Sequence, residues 1–381
     1  MSLPLFPVTT VGSWPRPPEV TEAIRAYRHR RIGRAERDRV IDAAVVELLG
    51  LQQTHGCDIV TDGELRRDNF YSFVADKLSG VRLMTLAEML EVVEDKAGFE
   101  QLLQTLDVPA YSISSPICTA RIERREPLTV DDLTFARRHT DLPIKVTLPG
   151  PYLLTRAMFV PEVTRAYYAD KEALARDVVA LLRAEVAELR SAGAEFVQFD
   201  EPVLTEVAFA PGRTRTFMCA ALAARKDPAE ELEFAVSLIN DVVAGMDGLR
   251  LGLHVCRGNW SRDETTLLSG GYQSLRPYLD RLEVTQLVLE YATDRAGSLV
   301  AFDRKELGLG VVNPRTQRVE RPEEIRSAVE AALELYPAER VFLNPDCGFG
   351  TFSNRPMNTR ETASAKVAAM AAAARDLRGG A

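Results

Sequence analysis

A cationic surplus is the first thing this sequence lacks. Lys and Arg number 47 against 55 Asp and Glu, for a formal net charge of −8. Nothing in that balance favours a nucleic acid or an anionic membrane as partner. No apolar run is long enough to span a bilayer, and the start carries no basic stretch leading into an apolar core. The expectation is a cytoplasmic protein. Cysteine is sparse and odd in number: Cys57, Cys118, Cys219, Cys256 and Cys347 among 381 residues. That argues against a disulfide framework. Histidine is scarcer, at His29, His55, His139 and His254. The dinucleotide fingerprint is missing too. Gly308-Leu-Gly310 is a weak glycine signal, so no nucleotide cofactor is expected. No short repeat, low-complexity tract or linker divides the chain.

What is present is ordinary globular material, 46% hydrophobic and 27% charged, enough for a large core. Strand-like apolar runs fall near residues 8, 59, 145, 197, 252, 287, 310 and 342. Helical periodicity separates most of them, as in Asp170 to Ala192, with Leu174, Val178, Leu181, Leu182, Val186 and Leu189 on one stripe. Gly, Pro or a polar residue closes each run. Eight such units predict an α/β fold, a (β/α)8 TIM barrel spanning 1–381 as one catalytic domain. A doubly wound sheet is the alternative. The rhythm breaks from about 65 to 142, which reads as an insertion after strand two, able to form a lid. Within it, Ser115 to Glu123 alternates like a hairpin arm.

The chemistry concentrates on Leu251-Gly-Leu-His-Val-Cys256. Side chains alternate along a strand, so His254 and Cys256 project from one face at its C-terminal end. The next run, Val284 to Glu290, ends on a carboxylate. Arg340 to Cys347 ends on a thiol. If these strands lie parallel and close, one imidazole, two thiolates and one carboxylate converge, a set that suits tetrahedral Zn2+. The bland alternative is that the thiols pack as small hydrophobes. Glu64 and Asp200 also end buried runs, where barrel enzymes place polar groups for chemistry. They could equally be helix caps or ion-pair partners. Gly12-Ser13 offers backbone N–H groups to a carboxylate, or is merely a turn. Arg66-Arg67 leaves room for an anion role.

Taken together, the residues resemble the C-terminal catalytic barrel of the cobalamin-independent methionine synthase family. The likeness is carried by Thr9-Thr-Val-Gly-Ser-Trp-Pro15, Asp62-Gly-Glu64, Leu148-Pro-Gly-Pro151, Phe199-Asp-Glu-Pro202, His254-Val-Cys256, Glu290 and Asn344-Pro-Asp-Cys-Gly348. It implies a (β/α)8 barrel whose zinc is held by His254, Cys256, Glu290 and Cys347. It also implies that Val11, Gly12 and Ser13, with Glu64 and Asp200, hold the amino acid part of homocysteine.

Three departures narrow the reading. The chain has no room for the second, N-terminal barrel of full-length members. Leu154 to Phe159 holds no tryptophan where the family stacks the folate pterin, and Gly310-Val-Val-Asn-Pro-Arg315 holds no histidine where the family has a catalytic one. The expectation is a zinc-dependent thiol S-methyltransferase that converts homocysteine to methionine with a corrinoid protein as donor. Glu290, the hardest ligand, is expected to yield as the acceptor sulfur arrives. Three alternatives stand beside it. One is an epoxyalkane:coenzyme M transferase, with Arg67 or Arg156 serving the sulfonate. Another is a folate-dependent methionine synthase. The third, of another class, is a porphyrinogen decarboxylase-like enzyme that needs no metal.

Overall fold

Strands that are apolar along their whole length, without alternation, must be covered on both faces, which is how parallel sheets are built. In the computed structural model, which describes residues 3–93, 96, 114–209, 227–353 and 355–379, the chain obeys this rule. The first two strands, β1 (Leu78–Thr85) and β2 (Ser114–Arg124), form a separate antiparallel hairpin. The other six make one parallel sheet in sequence order: β3 (Lys145–Pro149), β4 (Phe196–Asp200), β5 (Arg250–Val255), β6 (Gln286–Leu289), β7 (Glu306–Val312) and β8 (Val341–Pro345). Every residue of β3, β4, β6 and β8 is buried.

The two N-terminal runs are shorter than the sequence suggests. Each supplies a single parallel bridge, Val8 to Leu343 of β8 and Val60 to Ile144 beside β3. The two runs also meet each other, since the Asp58 and Ile59 amides donate to the Val8 carbonyl at 2.8 and 3.2 Å. Side chains replace part of the expected ladder. Asp58 Oδ2 accepts from the Val8 amide at 2.9 Å, and Gln52 Oε1 accepts from the Thr61 amide at 3.1 Å. Backbone bonds thus link all eight segments in the order expected of a (β/α)8 barrel.

Helices separate the sheet strands except between β6 and β7, where only a three-residue 3-10 turn, Asp294–Ala296, lies. Arg34–Thr54, Lys171–Ser191, Pro228–Val243, Pro322–Leu333 and Arg360–Gly379 are the longest. Asp170 starts the second of these by accepting from the Ala173 amide at 2.7 Å. Gly193, at φ +84°, turns the chain out of it. The Ala-rich C-terminal run lies in the last of these, Arg360–Gly379. At the N-terminal end of the strands Ile59, Phe196 and Phe342 form a small plug with Leu3 packed on it. The opposite, C-terminal end is left for polar groups.

The stretch after the second segment carries the separate antiparallel hairpin, and its alternating run is β2. The partner arm β1 was not legible. Gly80, at φ +74°, sits at a register shift between Ser79 and Val81, and a Cβ there would meet the Arg121 carbonyl oxygen at 2.2 Å. Residues 94–95 and 97–113 of the expected lid lie outside the described residues, as does Cys219. Among the described residues, no helix is long and apolar enough to cross a membrane.

Candidate functional site

Parallel registration sets the site. Asp200 on β4 stands opposite His254 on β5, and His254 stands opposite Val288 on β6. His254 Nδ1 lies 3.0 Å from the Val288 carbonyl oxygen. That bond orients the ring and directs Nε2 inward, the usual arrangement for a metal-binding imidazole. Nε2 lies 3.5 Å from Cys347 Sγ, just past β8. Cys256, one residue beyond β5, completes the group. The ligand atoms of His254, Cys256 and Cys347 all lie within 4.8 Å of one another, and all three residues are buried.

The protonation of this trio suits a cation. The Cys347 thiol donates to Cys256, and together with His254 this outweighs burial, bringing the Cys256 thiol down to about 5. Burial lowers the His254 pKa, but the neighbouring Cys256 thiolate prevails and holds it at about 9. Cys347 is pushed up, first by its bond to Cys256 and then by burial. A soft divalent cation bound there would take the place of the protons that these groups share. Two sulfurs and one nitrogen are the donors zinc prefers, and three protein ligands leave a position open.

The same wall closes a cleft of about 620 Å³, open to solvent, that is lined by Val11, Ser13, Glu64, Asp200, His254, Cys256 and Cys347. Gly12 lies behind it, where a Cβ would strike Glu64 Oε1 at 2.4 Å. Glu64 itself has φ +55°, a strained backbone for a residue with a side chain. Its Oε1 accepts from Thr147 Oγ1 at 2.9 Å, while its Oε2 is buried without a hydrogen-bond partner. Asp200 Oδ1 accepts from Gln198 Nε2 at 2.9 Å. Burial, with help from Glu64, pushes the Asp200 carboxyl up to about 7. Ser13 Oγ accepts from the Thr351 amide at 2.9 Å. Two carboxylates with spare acceptor capacity face a cavity next to a thiol-rich cation site.

Glu290, Arg67 and Arg156 stand apart from that wall. Glu290, at the end of β6, is fully buried, but its carboxylate lies outside the 4.8 Å trio and does not line the cleft. It is instead surrounded by arginine groups. Arg67 donates to Thr147 Oγ1 at 3.1 Å and to the Thr147 carbonyl at 3.0 Å, and Arg156 pairs with Glu231 at 3.4 Å. Neither lines the cleft, whose described wall carries Glu64, Asp200 and Glu206 but no Lys or Arg. Sequence reasoning missed Phe70, Glu206, Asn259, Trp260 and Thr351 on that wall. Asn259 and Trp260 lie three and four residues beyond Cys256 in the loop after β5, and that position was the available signal.

A model of the family described as "Cobalamin-independent synthase, Catalytic domain" matches residues 6–376. The chain belongs to that family. It is therefore an enzyme of the methyltransferase class. The methionine synthase of Saccharolobus solfataricus is 29% identical over 360 residues, 93% of this chain and 91% of the relative. That of Thermococcus kodakarensis is 30% identical over 363 residues, 93% of this chain and 90% of the relative. Among solved structures, a B12-independent methionine synthase from Shewanella sp. W3-18-1, in complex with selenomethionine, superposes with a TM-score of 0.73. It is 21% identical and is matched over 99% of this chain and 98% of its own. A putative vitamin-B12 independent methionine synthase from Listeria monocytogenes gives 0.70 at 18% identity, with 99% of each chain covered. At those identities the structures speak for the fold, and the barrel reading agrees with them.

Proposed function

We propose that this enzyme methylates the sulfur of homocysteine, yielding methionine, with zinc bound by His254, Cys256 and Cys347. The observation that carries the reading is the shared wall: the His–Cys–Cys trio and the carboxylates of Glu64 and Asp200 face one cleft. An amino acid thiol has a cationic and a sulfur end, and the cleft offers a partner for each. Glu64 and Asp200 bind the ammonium. Ser13, fixed by the Thr351 amide, and Val11 border the amino acid end. Zinc bound at the trio would stabilise the acceptor's thiolate at neutral pH. The sulfur lone pair then forms the new S–C bond as the methyl carbon's bond to the donor breaks, the donor keeping the electron pair. Glu290, the fourth ligand implied by the family resemblance, would complete the protein's ligand set and yield as the acceptor sulfur arrives.

The lining argues against a sulfonate-bearing thiol such as coenzyme M. Three carboxylates and no described Lys or Arg border the cleft, and a sulfonate buried among the carboxylates would be costly. The four described cysteines are unpaired, which fits the reducing cytoplasm we propose as its compartment.

For the donor we propose a methyl-corrinoid, presented by a separate protein. Folate leaves as an amine and requires a proton. At the end of β7 the chain supplies Arg315, and the helix Pro151–Met158 is buried throughout and holds no tryptophan. A second reading keeps methyl-folate, because Trp260 and Phe70 give the cleft aromatic surface from other loops. Methionine formation from homocysteine with each donor at equal concentration separates them. Turnover with polyglutamylated methyl-folate as fast as with methylcobalamin would refute the corrinoid assignment.

A further inference from the structure

Beneath the two carboxylates of the cleft, Thr147 on β3 and Gln198 on β4 stand opposite each other in the parallel register. Both are buried. Thr147 Oγ1 donates to Glu64 Oε1 at 2.9 Å, and Gln198 Nε2 donates to Asp200 Oδ1 at 2.9 Å. Each donor is fixed in turn. Arg67 donates to Thr147 Oγ1 at 3.1 Å and to the Thr147 carbonyl at 3.0 Å, with its guanidinium 4.5 Å from the Phe73 ring centroid. Gln198 Nε2 also donates to the Val11 carbonyl at 3.0 Å.

The arrangement occupies one oxygen of each carboxylate. Glu64 Oε2 is buried without a hydrogen-bond partner, and Asp200 Oδ2 accepts none from the described residues. Arg67 does not take the spare oxygen. Its Nη1 stays 3.9 Å from Glu64 Oε1, beyond hydrogen-bond reach, and the Thr147 hydroxyl bridges the two. Arg16, itself buried, donates to the carbonyls of Glu64 and Arg67, which holds the left-handed backbone of Glu64 in place. A buried acceptor left unpaired costs free energy, and a donor from a ligand relieves that cost. An ammonium brings three donors and no acceptor. A carboxylate pinned through one oxygen keeps the other aimed before the ligand arrives, so less freedom is lost on binding.

We propose that Thr147, backed by Arg67, and Gln198 are positioning residues that commit one oxygen of each carboxylate and reserve Glu64 Oε2 and Asp200 Oδ2 for the ammonium of the acceptor. They act through Glu64 and Asp200 and touch no reacting atom. This rests on the amino acid reading above and deepens it. The pair of donors below the carboxylates, and not the carboxylates alone, makes the pocket selective for a thiol that carries an ammonium.

The test uses the zinc-loaded full chain and two thiols, homocysteine and 4-sulfanylbutanoate, the same acid without its amino group. Thr147→Val keeps the shape of the side chain and removes its hydroxyl. By calorimetry its homocysteine affinity falls about tenfold, as expected for one hydrogen bond to a charged group. Its affinity for 4-sulfanylbutanoate and its zinc content are unchanged. Thr147→Ser restores the hydroxyl and most of the homocysteine affinity. Gln198→Met addresses the other carboxylate independently and shows the same selective loss. In both weakened variants KM for homocysteine rises more than kcat falls. Homocysteine affinity unchanged in Thr147→Val and Gln198→Met, an equal loss of both thiols, or a Ser variant as weak as the Val variant overturns the positioning role while leaving the amino acid reading standing. A parent chain that binds the two thiols equally well overturns the amino acid reading and the positioning role together.

Discussion

Replacing Asp200 by Asn removes one negative charge and little else. The new amide oxygen can keep the 2.9 Å bond from Gln198 Nε2, and the residue is not one of the metal trio. The side chain is 6% exposed, so an ammonium bound there is largely desolvated. Breaking such a pair typically costs about 2–5 kcal/mol, and the surviving Glu64 places this case near 2–3 kcal/mol. That is a loss of about 30- to 150-fold in homocysteine affinity. The pH dependence gives a second handle. Burial first, then Glu64, hold the Asp200 carboxyl near 7 in the free site. An ammonium lowers that pKa on binding, so its contribution is present above about 7 and is lost as the pH falls through that value. Calorimetric titration of zinc-loaded protein at about pH 6 and about pH 8 reads both effects. The parent weakens toward the lower pH, while the Asn variant starts weak and follows a flatter profile. Unchanged affinity in the Asn variant, with zinc still bound, would mean that the pocket is built for a different acceptor.

Cys256→Ser and Cys347→Ser should each lose zinc by at least about tenfold in affinity, since a neutral hydroxyl replaces a soft thiolate; stoichiometric zinc in the double variant, by elemental analysis, contradicts the site. Gly12→Ala places a methyl against Glu64 Oε1, which a Cβ would meet at 2.4 Å. It should weaken homocysteine binding at unchanged zinc content, and equal KM values for the two proteins would refute the close approach. Lys145 is buried, its Nζ has no hydrogen-bond partner, and burial lowers it to about 7. The unfolded chain keeps the ordinary lysine value, so the penalty is complete below about pH 7 and disappears as the pH rises toward about 10. Lys145→Met should therefore be more stable in urea unfolding by a constant margin below neutrality, and that margin should shrink at alkaline pH. A margin independent of pH contradicts this.

Legibility followed burial. β3 to β8 were readable because strands covered on both faces are continuous apolar runs, and a Gly, a Pro or a polar group marks where each stops. Pro7 to Ser13 and Cys57 to Glu64 read as full strands but supply one bridge each, because Asp58 and Gln52 side chains take amides that a ladder would use. Nothing in local sequence announces such a substitution. β1 was hidden by the irregularity at Gly80. His254 and Cys256 were legible through period two, and Cys347 through its place after an apolar run. The environment of Glu290 was not. Arg257, Arg295 and Arg315 lie far apart in sequence, and only the closing of the strand ends brings them to one carboxylate. Arg315 was visible as the place where a histidine is missing, not as the hub it forms with Asn259, Glu264 and Asp346. Trp260 was passed over although it lies four residues beyond Cys256.

The most direct test of the central claim is methionine formation from homocysteine and methylcobalamin, measured on one preparation before chelation, after chelation and after zinc is restored. The account predicts turnover in the loaded protein, loss of nearly all of it on chelation, and recovery with zinc in the parent but not in Cys256→Ser. Methionine produced at the same rate by metal-free protein, or by the Cys256→Ser variant, would contradict it.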